Sequence, residues 1–166
     1  MLAAGTVERI DSATNQAAGE PTWVPADAAA IAVADRALWV ARVGPGDLSE
    51  AGEDAVTRID LATGTVVADI PVPSEPHRVA YGAGAAWVGN YHDDSVSRID
   101  PASNRVVGSP IPIGFPAGNL AVGAGGVWVT SDYRVDADPE DVVVVRIDPQ
   151  ANRAVETMPG MYGLGC

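Results

Sequence analysis

Residues 76–113 read PHRVAYGAGAAWVGNYHDDSVSRIDPASNRVVGSPIPI. Four short runs rich in apolar and β-branched residues are separated there by Gly, Asp, Asn and Pro, which are the residue types that form turns. Each run has the length of an ordinary strand and none has the length of a helix. The stretch therefore predicts four consecutive antiparallel strands joined by hairpins.

The same pattern recurs on both sides of this stretch and is marked by two short motifs. The tripeptide Arg-Ile-Asp begins at Arg9, Arg58, Arg98 and Arg146, and the pair Trp-Val begins at Trp39, Trp87 and Trp128. From each Arg to the next Trp the spacing is 30, 29 and 30 residues, whereas from each Trp to the next Arg it is 19, 11 and 18. A repeat with one constant and one variable half indicates a structural unit with insertions in a single connection.

We name the predicted strands of one unit A to D. Strand A precedes Trp-Val, strand B contains it, strand C contains Arg-Ile-Asp, and strand D follows. Glycines predict tight hairpins between A and B in the second and third units, whereas 34–36 carry Ala-Asp-Arg in the first. Proline cannot donate to a central ladder, so Pro71, Pro110 and Pro112 place strand D at the edge of each sheet.

The connection between strands C and D is the most regular feature of the chain. An Asp is followed four residues later by Asn or Gly in all four copies: Asp11 and Asn15, Asp60 and Gly64, Asp100 and Asn104, Asp148 and Asn152. An Asp that caps a turn through its side chain, with Asn or Gly closing in the left-handed region, predicts a type I turn with a bulge.

These patterns predict an all-β chain that forms a β-propeller of four-stranded antiparallel blades. We expect one partial domain over residues 1–166, with a half blade at 6–24 and blades at about 29–72, 78–113 and 119–158. About three and a half blades fall below the four to eight of closed propellers, so the chain is predicted to be a fragment of a seven-bladed ring. Two chains that complete one ring, or an open array, are the alternatives.

Composition restricts the partners. The net charge is −12, with 22 acidic residues against 10 basic ones, all of them Arg. Such a surface repels phosphate backbones and anionic lipids, so no nucleic-acid partner is expected. No apolar run reaches the roughly 18 residues of a membrane span, and the opening residues do not resemble a signal peptide. The single Cys166 can form no internal disulfide.

Residues 87–113 and 128–155 resemble YVTN-type propeller repeats, in which an aromatic-Val-x-Asn strand leads to a V-x-x-I-D strand, a turn and a Val- and Pro-rich strand. The chain departs from that pattern at Arg42 and Ser131, where the family has Asn. The resemblance implies a bacterial protein whose parent is secreted, periplasmic or extracellular. Proteins with such repeats include binding proteins, sensor regions, surface-layer proteins and lactonase-like enzymes. Virginiamycin B lyase is a more distant similarity.

One blade contains both histidines of the chain. The D-to-A and B-to-C connections of a four-stranded meander open on the same face, which we call the loop-rich face. His77 begins a strand A there, and Asn90, Tyr91, His92 and Asp93 lead into the B-to-C loop of the same blade. We predict that these five residues bind a ligand. Two imidazoles and a carboxylate could also hold a metal or exchange protons, and the opposing interpretation is that both histidines are ordinary loop residues.

Other candidates have structural interpretations. The B-to-C insertion of the third unit has the oxygen density of a Ca²⁺ site at Asp136, Asp138, Glu140 and Asp141. It lacks the spacing of an EF-hand loop, so it is predicted to be a solvated acidic loop. The periodic tryptophans are predicted to pack within or between blades, with Trp23, out of phase, on an edge strand. Each Arg-Ile-Asp is predicted to pair or cap between neighbouring turns.

Two functions follow from these observations. The first is a non-catalytic module that binds a small molecule, a glycan or a protein, without metal or cofactor, and that packs with remaining blades of a parent chain or with a second copy. The alternative is part of a metal-assisted lyase or lactonase-like hydrolase. No nucleophile elbow, phosphate loop or zinc spacing is present in the sequence, so catalytic residues remain unassigned.

Overall fold

The computed structural model describes residues 5–24, 28–44, 54–131 and 142–159. The regular elements in these ranges are β-strands joined by turns. Within the same ranges, no helix is long and apolar enough to cross a membrane.

Three antiparallel meanders follow one another along the chain, and we call them blades 1 to 3. Blade 1 contains β5 (Ala28–Ala34), β6 (Ala37–Arg42), β7 (Ala55–Asp60) and β8 (Val66–Pro71). Blade 2 contains β9 (Pro76–Gly82), β10 (Ala85–Asn90), β11 (Ser95–Asp100) and a fourth strand in two pieces, β12 (Arg105–Val106) and β13 (Ile111–Pro112). Blade 3 contains β14 (Ala117–Gly123), β15 (Gly126–Ser131), β16 (Val143–Asp148) and β17 (Arg153–Pro159).

A C–D pair precedes blade 1, and we call it the half blade. The part far from its turn pairs β1 (Gly5–Val7) with β4 (Thr22–Val24), and the part next to its turn pairs β2 (Ile10–Asp11) with β3 (Gln16–Ala17). Val7 and Val24 pack against Leu38, Val40 and Ile59 of blade 1. The half blade therefore covers one side of β6 and β7, which are strands B and C of blade 1.

The blades are arranged with strand A innermost. β9 of blade 2 contacts both β5 of blade 1 and β14 of blade 3, whereas β8 and β17 each pair with one strand C. Pro71 and Pro112 lie on the outermost strands, as predicted, where a missing N–H donor is tolerated.

The apolar core lies between blades. Trp39, Val56 and Ile70 of blade 1 pack with Val88 and Ile99 of blade 2. The equivalent cluster between blades 2 and 3 is formed by Trp87, Val96 and Ile111 together with Val127, Val129 and Ile147. Trp39 and Trp87 are 0% exposed, which confirms for these two periodic tryptophans that they pack between blades, whereas Trp128 is partly exposed. Burying a side chain of this size contributes about 2–3 kcal/mol, so these contacts dominate the packing of one blade on the next.

The C–D turns have the predicted geometry. The carboxylate of each Asp accepts hydrogen bonds from two backbone N–H groups two and three residues later, at 2.7 to 3.2 Å. The closing residues have φ values between 51° and 67°. The hydrogen bonds from the turn residues lower the pKa of all four carboxyl groups, those of Asp11, Asp60, Asp100 and Asp148.

The A–B hairpins have two-residue turns in all three blades. The central pairs have positive φ at both positions, with Asp35 and Arg36 at 49° and 64°, as in the glycine-containing turns at 83–84 and 124–125. This is the type I′ conformation that matches the twist of antiparallel strands. The first blade thus forms the same hairpin without glycine.

Two of the Arg-Ile-Asp copies, those that begin at Arg58 and Arg98, join neighbouring blades. Arg58 Nη1 donates to the main-chain oxygen of Pro101 and, at 2.8 Å, to Asn104 Oδ1 in the next C–D turn. Arg98 Nη1 donates in the same way to the oxygen of Pro149 at 2.7 Å. Each guanidinium also lies over the tryptophan ring of its own blade, at 5.0 Å for Arg58 and 5.4 Å for Arg98. We call this arrangement the Arg–Trp clamp.

Candidate ligand-binding site on the loop-rich face

The start of β9 and the end of β10 bring the predicted site residues together. Pro76 pairs with Asn90, which places His77 beside the turn 91–94 that leads to β11. The D-to-A and B-to-C connections of blade 2 therefore meet on one face, as the meander predicts.

A carboxylate from the D-to-A connection lies between the two imidazoles. His92 Nε2 is 3.0 Å from Glu75 Oε1, and His77 Nε2 is 3.5 Å from Glu75 Oε2. The side chains of His77 and His92 are 36% and 42% exposed, whereas that of Glu75 is 24% exposed. The carboxylate of Glu75 thus contacts both imidazole rings, and the rings remain accessible to solvent.

The backbone of Glu75 is held in an unusual conformation. Its φ is 54°, although it precedes a proline, and a residue in that position ordinarily has an extended backbone. Its N–H donates to Asp54 Oδ2 at 2.8 Å, and its carbonyl accepts the N–H of Tyr91 at 2.8 Å. Asp54 also accepts the N–H of Gly44 at 2.8 Å, so three connections are linked here. A strained backbone stabilised by its surroundings is found most often at functional sites.

Tyr91 completes an aromatic surface with the two histidines. Its ring is stacked on His77, with centroids 5.1 Å apart and planes inclined by 25°, and it meets the edge of His92 at 5.9 Å. We call Glu75, His77, Tyr91 and His92 the His–Tyr patch. A planar group or an apolar ring edge of a ligand can stack on such a surface, and the imidazole nitrogens can hydrogen-bond to it.

Asn90 and Asp93 lie beside the patch in different environments. Asn90 is fully buried, and its Nδ2 donates to Ser95 Oγ at 3.0 Å and to Ser97 Oγ at 2.9 Å. Asp93 is exposed, and its Oδ2 accepts the N–H of Ser74 at 2.6 Å. The structure therefore groups His77, Tyr91 and His92, while Asn90 braces the sheet and Asp93 braces the loop. Ligand contact by any of the five residues stays a prediction.

The patch breaks the symmetry of the repeat. The strand registers make Ala29 and Gly118 equivalent to His77, and Val43 and Gly44 equivalent to Tyr91 and His92. The residues that maintain the fold recur in each blade, whereas a ligand site needs to form once. Among the described residues, the imidazole and phenol rings of the patch therefore have no counterparts at the equivalent positions of the other blades.

Sequence reasoning did not identify Glu75 and Asp54. Both lie in connections outside the repeated motifs, and no local rule places a residue before proline in the left-handed region. The acidic residue directly before Pro76-His77 was the available signal.

The structure gives no support for a metal centre among the described residues. In those ranges, no group of three or more His, Cys, Asp or Glu side chains is arranged to hold a metal ion. The acidic loop with Asp136, Asp138, Glu140 and Asp141 lies outside the described residues, as does Cys166.

Comparison with known proteins identifies the fold. No protein-family model and no curated protein matches the chain. The chain is similar in structure to hydrazine synthase of Kuenenia stuttgartiensis, with a TM-score of 0.75, 18% identity, and coverage of 93% of this chain and 43% of that one. It is similar to the β-propeller domain of Myceliophteria thermophila Cps50 (Swd1), with a TM-score of 0.68, 12% identity, and coverage of 96% and 50%. The WD40 domain of Neurospora crassa Pan2 follows with a TM-score of 0.62, 13% identity, and coverage of 93% and 47%.

These similarities, with the meander order and the innermost strands A, confirm the predicted class: the chain has a β-propeller fold built from four-stranded antiparallel blades. It spans about half the length of the propeller chains it matches, as expected of a partial ring. The identities of 12% to 18% concern the fold alone.

Proposed function

We propose that this chain is a non-catalytic β-propeller binding module whose His–Tyr patch recognises a ligand on the loop-rich face. The observation that carries the proposal is the patch itself: accessible rings anchored by Glu75 in blade 2, without a counterpart among the described residues of the other blades. The similarity to WD40 and other propeller domains supports a binding role at the level of the fold.

The chemistry of the patch favours a ligand with a planar or ring-shaped part and a hydrogen-bonding group. The stacked His77 and Tyr91 rings provide an apolar surface, and the carboxylates of Glu75 and Asp93 make the surroundings acidic. A sugar ring, an aromatic amine or an Arg- or aromatic-containing protein segment meets these requirements.

The test presents two probe sets to the purified chain: an immobilised glycan array and a phage-displayed peptide library. The Tyr91→Ala/His92→Ala double variant removes two of the three rings. Leu61→Ala is the control, because Leu61 is an exposed side chain in a C–D turn at the opposite end of a blade. We expect selected probes to bind the wild type and the control equally and to lose at least tenfold in affinity for the double variant, which corresponds to about 1.4 kcal/mol.

A catalytic result would overturn the proposal. Such a result would be hydrolysis of lactone or aryl ester substrates by the wild type in the presence of Zn²⁺ or Mg²⁺, together with loss of that activity in the His77→Ala variant. Equal affinity of the selected probes for the double variant and the wild type would show that the binding site lies outside the patch.

We further propose that the blades are YVTN-type repeats from an exported bacterial protein. The quoted motifs support this proposal. Arg42, Asn90 and Ser131 are equivalent in register, and each bonds to strand C or its flank: Arg42 to Thr57, Asn90 to Ser95 and Ser97, and Ser131 to the N–H of Val143. The residues at the two departures thus contact strand C or its flank, as Asn90 does in blade 2. An export signal encoded at the start of the parent gene is the expected result, and a parent without one would contradict it.

A further inference from the structure

The negative charge of the chain is concentrated in the connections between strands B and C. In blades 1 to 3 these connections are residues 43–54, 91–94 and 132–142, and they contain 11 of the 22 acidic residues and one of the ten arginines. Their net charge is thus −10, out of −12 for the whole chain. Each connection joins two strand ends that lie on the loop-rich face, so the sequence makes this face attractive to cations.

The carboxylate in the His–Tyr patch is not neutralised by an arginine. Glu75 contacts the two imidazoles, and Arg78, which follows His77, donates to main-chain oxygens and not to a carboxylate. Among the described residues, arginine forms an ion pair with a carboxylate at two places, both outside the patch: Arg42–Asp69 and Arg146–Glu156. The patch therefore has a negative charge that an external cation can neutralise.

Two further carboxylates hold the backbone beside the patch. Asp54 accepts the N–H of Glu75, and Asp93 accepts the N–H of Ser74. A hydrogen bond from a backbone amide orients a carboxylate without cancelling its charge. Three carboxylates, those of Asp54, Glu75 and Asp93, are thus connected to two consecutive residues of the D-to-A connection.

A guanidinium group matches this combination of rings and carboxylates. It is planar and weakly hydrated, and it stacks on aromatic rings while its edge donates hydrogen bonds. The chain already contains this arrangement, because the guanidinium groups of Arg58 and Arg98 lie 5.0 and 5.4 Å from tryptophan ring centroids and donate to oxygens of the next blade. In the His–Tyr patch, the rings of His77 and Tyr91 provide the stacking surface and Glu75 provides the acceptor.

We propose that the His–Tyr patch binds a guanidinium group of its ligand, an inference that rests on the binding function proposed above. The plane of the group lies on the stacked rings of His77 and Tyr91, and its N–H groups donate to the carboxylate of Glu75. An ammonium group has the same charge but no plane that can stack, and a neutral sugar gains nothing from the three carboxylates. The guanidinium group belongs either to a small molecule or to an arginine side chain of a protein.

Nuclear magnetic resonance titration of the nitrogen-15-labelled chain tests the proposal with paired probes. N-acetyl-arginine amide contains the guanidinium group, and N-acetyl-citrulline amide is its neutral isostere, with a urea group in that place. We expect the arginine probe to shift the backbone amide signals of Glu75, His77, Tyr91 and His92. We also expect it to bind at least tenfold more tightly than the citrulline probe, because a charged donor replaces a neutral one.

A pentapeptide with arginine at its centre and glycine at the other positions distinguishes the two sources of the group. A higher affinity for this peptide than for the arginine amide indicates a protein segment, because the patch then also contacts the peptide backbone. Equal affinity indicates a small molecule.

Glu75→Gln removes the charge and keeps the size of the side chain. We expect this variant to bind the arginine probe at least tenfold more weakly, because a charge-assisted hydrogen bond becomes a neutral one. Glu20→Gln makes the same charge change at an exposed residue of the half blade, and this matched control is expected to bind like the wild type. If Glu75→Gln does not fold, the wild type provides the test: relative to 10 mM NaCl, 0.5 M NaCl should weaken arginine binding at least threefold and leave citrulline binding unchanged.

The outcomes separate this inference from the proposed function. The inference is overturned by the absence of shifts in the patch, by equal affinity for the arginine and citrulline probes, or by arginine binding that neither Glu75→Gln nor NaCl weakens. The proposed function still stands in that case if probes selected from the glycan array lose affinity for the Tyr91→Ala/His92→Ala variant. If the arginine probe shifts only signals outside the patch and the selected probes bind that variant normally, both are wrong.

Discussion

At the scale of single residues, Gly82 has a packing role that its sequence position alone does not reveal. A Cβ at Gly82 would lie 2.6 Å from Val122 Cγ1 and 2.8 Å from Val122 Cβ in the next blade. Gly123 ends β14 as Gly82 ends β9, yet no described residue lies within 4 Å of its Cβ position. The two glycines therefore differ in one respect, the presence of a following innermost strand.

We expect Gly82→Ala to lower the free energy of unfolding by about 1–3 kcal/mol, because the added methyl group forces Val122 and the blade junction apart. Urea denaturation measures this change. Gly123→Ala is the matched control and is expected to remain within about 1 kcal/mol of the wild type. Equal losses for the two variants would contradict the proposed contact.

Tyr81 connects two blades through its ring and its hydroxyl group. The ring stacks on Trp39 with centroids 6.0 Å apart, and the O–H donates to Asp35 Oδ2 in the preceding blade's hairpin. Burial first, and then the hydrogen bond to the Asp35 carboxylate, raises the pKa of Tyr81 from 10.0 to about 12.

This shift predicts a loss of stability at alkaline pH. The unfolded chain ionises Tyr81 near pH 10, whereas the folded chain retains the proton to about pH 12. The contribution of Tyr81 is thus complete below pH 10 and is lost as the pH rises toward 12. Urea denaturation at several pH values between 9 and 12 should show a shallower decline for Tyr81→Phe than for the wild type. Identical slopes would rule out the shifted ionisation.

At the scale of elements, the Arg–Trp clamp couples strand C of one blade to the C–D turn of the next. Arg58 and Arg146 occupy the same repeat position, but Arg58 reaches the turn of blade 2 and Arg146 pairs with Glu156 in its own sheet. The comparison of these two positions isolates the contribution of the inter-blade contact.

We expect Arg58→Ala to cost about 2–3 kcal/mol, because it removes charge-assisted hydrogen bonds and leaves the Pro101 carbonyl without this donor. Arg146→Ala is expected to cost less than about 1 kcal/mol, as for an exposed ion pair. Both values are measured by urea denaturation. A larger loss for Arg146→Ala than for Arg58→Ala would show that the clamp does not hold blades together.

The elements were predictable wherever short-range chemistry determines them. Asp100 and Asn104 define their turn through local hydrogen bonds and a tolerated φ, so the sequence suffices. The Asp35-Arg36 hairpin was harder to predict, because the pairing of strands A and B imposes positive φ on two residues that do not favour it. The position of Glu75 before Pro76 was a weak signal, since its place between two imidazoles depends on where separate connections meet.

At the scale of the whole molecule, the fold separates stability from recognition. Packing between blades uses residues that recur in register, whereas the His–Tyr patch, which we propose to bind a ligand, has no counterpart among the described residues of the other blades. The same separation explains why the sequence repeats predict the architecture but do not predict the ligand. A binding site on a repeat array consists of exceptions to the repeat, and exceptions have no internal copies against which they can be recognised.

The net charge of −12 acts on all blades at once and gives the last prediction. Repulsion among 22 acidic groups opposes the compact state, and salt shortens its range from about 30 Å at 10 mM to about 4 Å at 0.5 M. We therefore expect NaCl to raise the urea midpoint of the dilute chain at pH 7. At pH 4.3, near the isoelectric point, the net repulsion is absent, and the same addition of NaCl should give a much smaller increase. A midpoint that falls with salt at pH 7 would mean that attraction within ion pairs outweighs the repulsion, because screening would then weaken the attraction more than the repulsion.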